Sequence, residues 1–425
     1  MSFVFFAFNL LKVLHTADWH LGQRFQNQER LDEHRCFLTW LAQALDEHAV
    51  EVLVVAGDVF DTGAPSAAAR QLYYDFLAGL QRATTCRDVV IVGGNHDAAA
   101  TLNASAGLLK GLRVHVMGGV PAAFEDHWLA LPHGAAVPRL LVAAVPYLRD
   151  GDVRRLVPGE TAPEREARLR EGIADHYRAV ADAGRLFYGQ HTGPVLATGH
   201  LFAAGCADNF DHTERPLSIG SLGQITADAF PESFDYVALG HLHRPQTVGG
   251  QPRVRYSGAP IPLSFSETGH PQQVLLLTFG PGPGCPAVQA LNVPCERRLL
   301  RLRGTLEEVL KQMADFDNSA FQLEAWAEVL VQPTRPWAEI QEALREGWQA
   351  TGGRLRVLTA RPLRAADAEA EAEAAAGAVE SLPMLDELTP MAVFEQLLAG
   401  KDYDEYAEEK REELRATFAE LLRGN

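Results

Sequence analysis

One pattern recurs along the first ~290 residues: a short apolar, β-branched run closes in a glycine-bearing turn that carries Asp, Asn or His. Residues 12–16 run into Asp18-Trp19-His20, residues 52–55 into Gly57-Asp58, and residues 89–92 into Gly94-Asn95-His96-Asp97. Residues 195–197 lead into Gly199-His200, and residues 236–239 into Gly240-His241-Leu242-His243. Continuous apolar runs of this length predict strands covered on both faces. Helical patterns over residues 29–48 and 66–81 lie between them, so strand and helix alternate and the fold class is α/β. In such a sheet the carboxyl ends of the strands meet at one crevice. Asp18 and His243, far apart in sequence, are thereby expected in one site.

From about Cys295 the texture changes. Strands over residues 297–303, 321–331 and 354–360, with helices over 305–313 and 337–348, predict a small α+β domain within residues 291–364. Residues 365–389 begin Ala/Glu-rich and read as an acidic linker. Residues 390–425 hold two amphipathic helices, one lined by Met391, Phe394, Leu397 and Leu398, the other by Tyr406, Leu414, Phe418, Leu421 and Leu422. A pair this short cannot bury its own apolar faces and is expected to dock elsewhere.

At 425 residues two or three domains are expected. No run approaches the ~20 apolar residues of a membrane helix. The apolar stretch over residues 3–11 lacks a basic flank and a small-residue cleavage site, and reads as an extension into the first strand. Five cysteines, Cys36, Cys86, Cys206, Cys285 and Cys295, form no CxxC pair and suggest reduced thiols in the cytoplasm. The net charge of −17 speaks against a nucleic-acid partner at face value, but residues 365–425 carry −11 of it. The other −6 includes carboxylates suited to metal, so charge alone decides nothing.

Asp and His are the ligands of Mn, Fe, Zn and Mg sites, and a carboxylate can bridge two ions. The set D-x-H, G-D, G-N-H-D, G-H and G-H-x-H, each after a strand, is specific as a whole, although each piece alone is weak. Unpaired carboxylates and imidazoles at five strand ends serve no packing purpose. The longer stretches are Leu14-His15-Thr16-Ala17-Asp18-Trp19-His20-Leu21-Gly22, Ala56-Gly57-Asp58-Val59-Phe60-Asp61-Thr62-Gly63 and Ala238-Leu239-Gly240-His241-Leu242-His243-Arg244-Pro245-Gln246. With Tyr256-Ser257-Gly258-Ala259-Pro260-Ile261-Pro262-Leu263-Ser264-Phe265, they resemble the calcineurin-like metallophosphoesterase family, and within it a bacterial DNA-repair nuclease branch. The resemblance implies a β-sandwich flanked by helices, a capping domain and a C-terminal helical tail. It implies that Asp18, His20, Asp58 and His243 hold one ion, and that bridging Asp58, Asn95, His200 and His241 hold a second, with Mn2+ expected. Two cations about 3.5–4 Å apart lower the pKa of a shared water and neutralise charge growing on phosphorus. His96 is then expected to stabilise the transition state or protonate the leaving oxygen, and Asp97 to hold its imidazole. Asp61 stands where archaeal and eukaryotic relatives carry a second histidine; it either faces the site and tunes a ligand, or caps the loop.

The other ten histidines, His15 among them as a packed neighbour in the first strand, read as structural or surface residues. Arg149, Arg154, Arg155, Arg165, Arg168 and Arg170 alternate with glutamates and read first as a solvated, ion-paired helix, with phosphate contact by some of them the alternative. Arg297, Arg298, Arg301 and Arg303 are less diluted by acids, and phosphate contact and a structural role stay open for them. No GxxxxGK[ST] occurs, so the chain lacks a Walker A site. The resemblance supplies a separate coiled-coil ATPase as partner, met by the helices from Met391 onward, and a homodimer within a larger assembly. The expected activity is 3′→5′ exonuclease and endonuclease action on DNA. A small-molecule or cyclic-nucleotide phosphodiesterase is the alternative, and a catalytically dead scaffold would require lost ligands that are all present.

Overall fold

The computed structural model describes residues 10–154, 157–203 and 225–363. The linker, the terminal helices, residues 3–9 of the opening stretch, Arg155 and Cys206 lie outside the described residues.

Two six-stranded sheets form the first domain. In one the order is Ala287–Asn292, Gln273–Phe279, Leu11–Thr16, Val52–Ala56, Asp88–Val92 and Val114–Met117, the last four being mutually parallel. In the other it is Gln246–Thr247, Val254–Tyr256, Tyr236–Gly240, Val195–His200, Leu140–Ala143 and Trp128–Leu131, with the middle four parallel. The recurring runs are strands as predicted, and every residue of Val52–Ala56, Asp88–Val92 and Tyr236–Gly240 is buried.

Side chains alternate across each strand, and this decides the layers. Val13, Val52, Val54, Val90 and Val92 meet Val142, Leu196, Tyr236 and Ala238 between the sheets. Their neighbours Leu14, Leu53, Val55 and Ile91 face outward onto Phe37 and Leu41 of helix Leu31–Glu47 and Tyr73 and Leu77 of helix Ala67–Ala83. On the far side Leu141, Ala197 and Val237 pack on Ile173, Tyr177 and Val180 of helix Ala162–Tyr188. The result is a helix-flanked β-sandwich. His15 pegs the sheets together, with Nδ1 3.1 Å from the Tyr236 hydroxyl and Nε2 3.2 Å from the Leu239 carbonyl.

Sequence signals set several helix starts. Ser66 caps Ala67–Ala83 by accepting from the Ala69 amide, and Thr161 with Glu164 forms a reciprocal capping box on the long helix. On that helix Arg170 meets Glu166, and Arg165 reaches Asp150 ahead of it; Arg154, also ahead of the helix and with a nearly buried side chain, meets both Asp150 and Glu160.

The small domain alternates strand and helix. Leu299–Gly304, Ala325–Val331 and Leu355–Pro362 form a parallel sheet in sequence order, covered by Leu306–Ala314 and Trp337–Ala350. It shares a cluster of Phe25, Phe265, Leu299 and Trp326 with the first domain. Arg297 is drawn into this junction. Its guanidinium lies 4.0 Å from the Trp326 ring centre, donates to Glu33 Oε1 at 2.8 Å and to the Glu324 carbonyl at 2.6 Å. These contacts give Arg297 a structural role at the junction. Arg301 is engaged by Glu328, and Arg298 donates to the Asp317 carbonyl beside Phe316 and Phe321.

Candidate metal centre

The strand ends that carry the polar turns lie together, but on two sheets. Leu11–Thr16, Val52–Ala56 and Asp88–Val92 deliver Asp18, His20, Asp58 and Asn95; Val195–His200 and Tyr236–Gly240 deliver His200, His241 and His243. They meet at the common edge of a sandwich, the fold the resemblance implied, because the interior faces of both sheets are apolar and must cover each other.

Four of the seven donors sit at positive φ: Asp18 at 53°, His20 at 46°, Asp58 at 48° and His241 at 102°. Such backbone is costly for side-chain-bearing residues and persists where surrounding contacts enforce it. Here the enforcing contacts are between turns: the Asp18 amide donates to the Gly57 carbonyl, the His20 amide to the Asp58 carbonyl, and the His241 amide to Asp18 Oδ1, at 3.0, 3.0 and 2.9 Å. Gly94 and Gly240 allow the turns to close in, since a Cβ would stand 2.1 Å from Asp58 Oδ1 at the first and 2.1 Å from the Ala56 carbonyl at the second.

The donors fall into two sets around Asp58. In one, Asp18, His20 and His243 bring a ligand atom each within 4.8 Å of one another, and the His20 and His243 rings are 5.3 Å apart. In the other, Asn95 Oδ1 is 2.9 Å from both His200 Nε2 and His241 Nδ1. Asp58 Oδ2 stands between, 3.6 Å from His20 Nε2 and 3.2 Å from His200 Nε2. Asp18, His20, Asp58 and His200 form a buried floor, whereas Asn95, His96, His241 and His243 are partly open at the rim. Among the described residues His20 Nε2 is buried without a hydrogen-bond partner, which a coordinated cation would resolve.

The electrostatics fit cations. Burial alone would lower His200, but the Asp58 carboxylate outweighs it and holds its pKa up to about 9. Burial is likewise outweighed at His243, where Glu267 and then Asp18 lift the ring to about 10. At His241 burial prevails, reinforced by His200, and the pKa falls to about 3. An ion bound there would have to displace those protons, so its binding would strengthen as pH rises.

The surrounding residues divide the supporting work differently from expectation. Asp97 does not hold His96. Its carboxylate accepts from the Val59, Phe60 and Gly94 amides at 3.0, 3.0 and 2.9 Å and so ties the Asp58 and Asn95 turns together. His96 Nδ1 instead donates to the Asp61 carbonyl at 2.8 Å, while its amide donates to Asp58 Oδ1. Asp61 faces the site: its carboxylate lies 3.2 Å from His20 Nδ1. Glu267, which nothing in the motifs singles out, lies 2.9 Å from His243 Nδ1. The hint in the sequence was its closeness to the stretch ending at Phe265; no spacing rule connects it with His243.

Comparison with known proteins agrees with this geometry. The sequence profile described as Calcineurin-like phosphoesterase matches residues 11–245, and that described as Type 5 capsule protein repressor C-terminal domain matches residues 295–401. The chain is 34% identical to the SbcD chain of the nuclease SbcCD of Escherichia coli K12 over 415 residues, covering 97% of this chain and 99% of that protein. The protein of the same name from Rhodobacter capsulatus is 38% identical over 368 residues, covering 82% of this chain and 87% of its own length. That from Bacillus subtilis is 33% identical over 279 residues, covering 64% and 67%. With the two-sheet fold, the paired donor sets and this identity along nearly its whole length, the chain belongs to the SbcD family of calcineurin-like phosphoesterases.

Proposed function

We propose that this chain is the nuclease component of an SbcCD-type complex and hydrolyses phosphodiester bonds of DNA with two divalent cations. The observation that carries this reading is the division of the donors into two sets of three with Asp58 between them. Asp18, His20, Asp58 and His243 would hold one ion, and Asp58, Asn95, His200 and His241 the other, with Mn2+ the expected metal. When bound, such a pair activates a water for in-line attack and offsets charge growing on phosphorus.

The chain's own residues set the stage for that step. Donation of Nδ1–H to the Asp61 carbonyl fixes the His96 ring and leaves Nε2 at the open rim. When both ring nitrogens are protonated, Nε2–H can stabilise the phosphate oxygens or protonate the leaving sugar oxygen. Asp97 keeps the turns in register by holding three amides at once. The buried floor limits bulk water to the rim.

The expected products are those of a 3′→5′ exonuclease on duplex ends and an endonuclease on single strands and hairpins, in DNA repair and recombination in the cytoplasm. An SbcC-type coiled-coil ATPase is the expected partner, met through residues 390–425, with a homodimer inside a heterotetramer. The lack of a Walker A motif and the relatives' naming as one component of the nuclease SbcCD support this. The test is incubation of the chain with its ATPase partner, ATP and Mn2+ on blunt and hairpin duplexes, expecting Mn2+-dependent cleavage. Intact DNA alongside fast turnover of a cyclic nucleotide would overturn the reading in favour of a small-molecule phosphodiesterase.

A further inference from the structure

An imidazole ligand gives one nitrogen to a metal, and the partner of the other nitrogen fixes its tautomer and its donor strength. The partners here are unequal. On His200 the outer nitrogen, Nδ1, donates to the neutral Ala56 carbonyl at 2.9 Å. On His241 the nitrogen beside the Asn95 oxygen is Nδ1, as it is Nε2 on His200, and among the described residues no carboxylate is hydrogen-bonded to the His241 ring. By contrast, Nδ1 of His20 faces the Asp61 carboxylate and Nδ1 of His243 faces the Glu267 carboxylate. Both carboxylate-backed rings belong to the set that also contains Asp18. Asp18 and Asp58 approach both sets, Asp18 lying within 4.8 Å of His200 as well; among the described residues, Asp61 and Glu267 are the carboxylates that stand against the first set's imidazoles in addition.

Glu267 is held in place before any ion arrives. It is buried, its Oε2 accepts from the Leu263 amide at 2.8 Å, and its Oε1 also accepts from the Ser264 hydroxyl at 3.3 Å. Its short helix, Phe265–Gly269, is anchored at Phe265 in the junction cluster with Phe25, Leu299 and Trp326. The His243 ring is therefore oriented by a carboxylate that cannot easily swing away.

We propose that Asp61 and Glu267 are positioning residues that lock His20 and His243 with Nε2 toward one ion, making the Asp18–His20–His243 site the tighter of the two. This rests on the two-ion reading above. The ions would then load in order, the more weakly held one completing the site last.

The test is titration of the metal-stripped full chain with Mn2+, followed by the electron paramagnetic resonance signal of free Mn2+. The wild type should bind two ions with dissociation constants at least about tenfold apart. Glu267→Gln and Asp61→Asn should each weaken the tighter ion about 10–100-fold, leave the weaker one within about threefold, and still reach two ions at saturation. Asn95→Ala should lose the weaker ion and keep the tighter. In nuclease assays the two carboxylate variants should need more Mn2+ yet recover most of the wild-type kcat at saturation. Asp61 is the less buried carboxylate, so Asp61→Asn decides the matter should Glu267→Gln fail to fold. Two ions of equal affinity in the wild type, or a variant that weakens only the other ion, would overturn the proposal. Fewer than two ions in the wild type would instead overturn the two-ion reading itself.

Discussion

Single atoms decide the behaviour of the metal centre. Asp58 lies between both donor sets, whereas His96 meets Asp58 through its backbone amide and keeps its ring, 4.8 Å from that of His20, at the partly open rim. Asp58→Asn should therefore lose metal and activity together. His96→Asn should retain both ions and slow cleavage about 100–10,000-fold, as metal content and single-turnover rates on one preparation would reveal. Equal metal loss in the two variants would remove His96 from its role. Two glycines make a sharp contrast. A Cβ at Gly94 would collide with Asp58 Oδ1, but one at Gly79, exposed within helix Ala67–Ala83, would meet nothing within 4 Å. Gly94→Ala should abolish metal binding. Gly79→Ala should raise stability by about 1 kcal/mol, since alanine is the better helix former, measurable by urea denaturation.

Among the elements, strand Val114–Met117 is pinned at the sheet edge by charge. Asp88, at the start of the neighbouring strand, accepts from Arg113 at 2.6 and 3.2 Å and from His115 at 3.1 Å. Burial would raise its carboxyl, but His115 and Arg113 outweigh burial and hold the pKa below the ordinary value. A carboxylate depressed on folding contributes stability above its unfolded pKa of about 3.9, and loses that contribution as pH falls through the folded value. Asp88→Asn should cost about 2–3 kcal/mol at pH 7. The gap between wild type and variant should narrow as pH drops below about 4, which urea midpoints at several pH values would follow. A gap independent of pH would mean that packing, not charge, holds this strand.

For the whole molecule, the junction between the two domains is built on buried charge. Glu33 Oε1 accepts from Arg30 at 3.1 Å and from Arg297 at 2.8 Å. Removing it by Glu33→Ala strands two guanidiniums away from water, at a cost of about 3–5 kcal/mol. Hydrogen exchange should show the loss first around Phe25, Phe265 and Trp326, the shared cluster. Metal acts on the whole fold as well, because ions bind the folded state alone. Chelation should stop cleavage, and Mn2+ at a hundredfold excess over its dissociation constant should add about 3 kcal/mol of stability, seen as a higher thermal midpoint.

The local pattern determined much of this protein. Five apolar runs specified five buried strands, and the residues just beyond them specified the donors, because a strand buried on both faces can offer polar groups only at its ends. The alternation 297–360 likewise specified the small domain's strands and helices. What only tertiary structure decided was which surfaces meet. Two sheets closing over one apolar interior brought their rims together, and that packing assigned Asp97 to three amides, Asp61 to His20, Glu267 to His243 and Arg297 to the domain junction. Such pairings join residues as much as 264 positions apart, and no periodicity along the chain encodes a contact made across the fold.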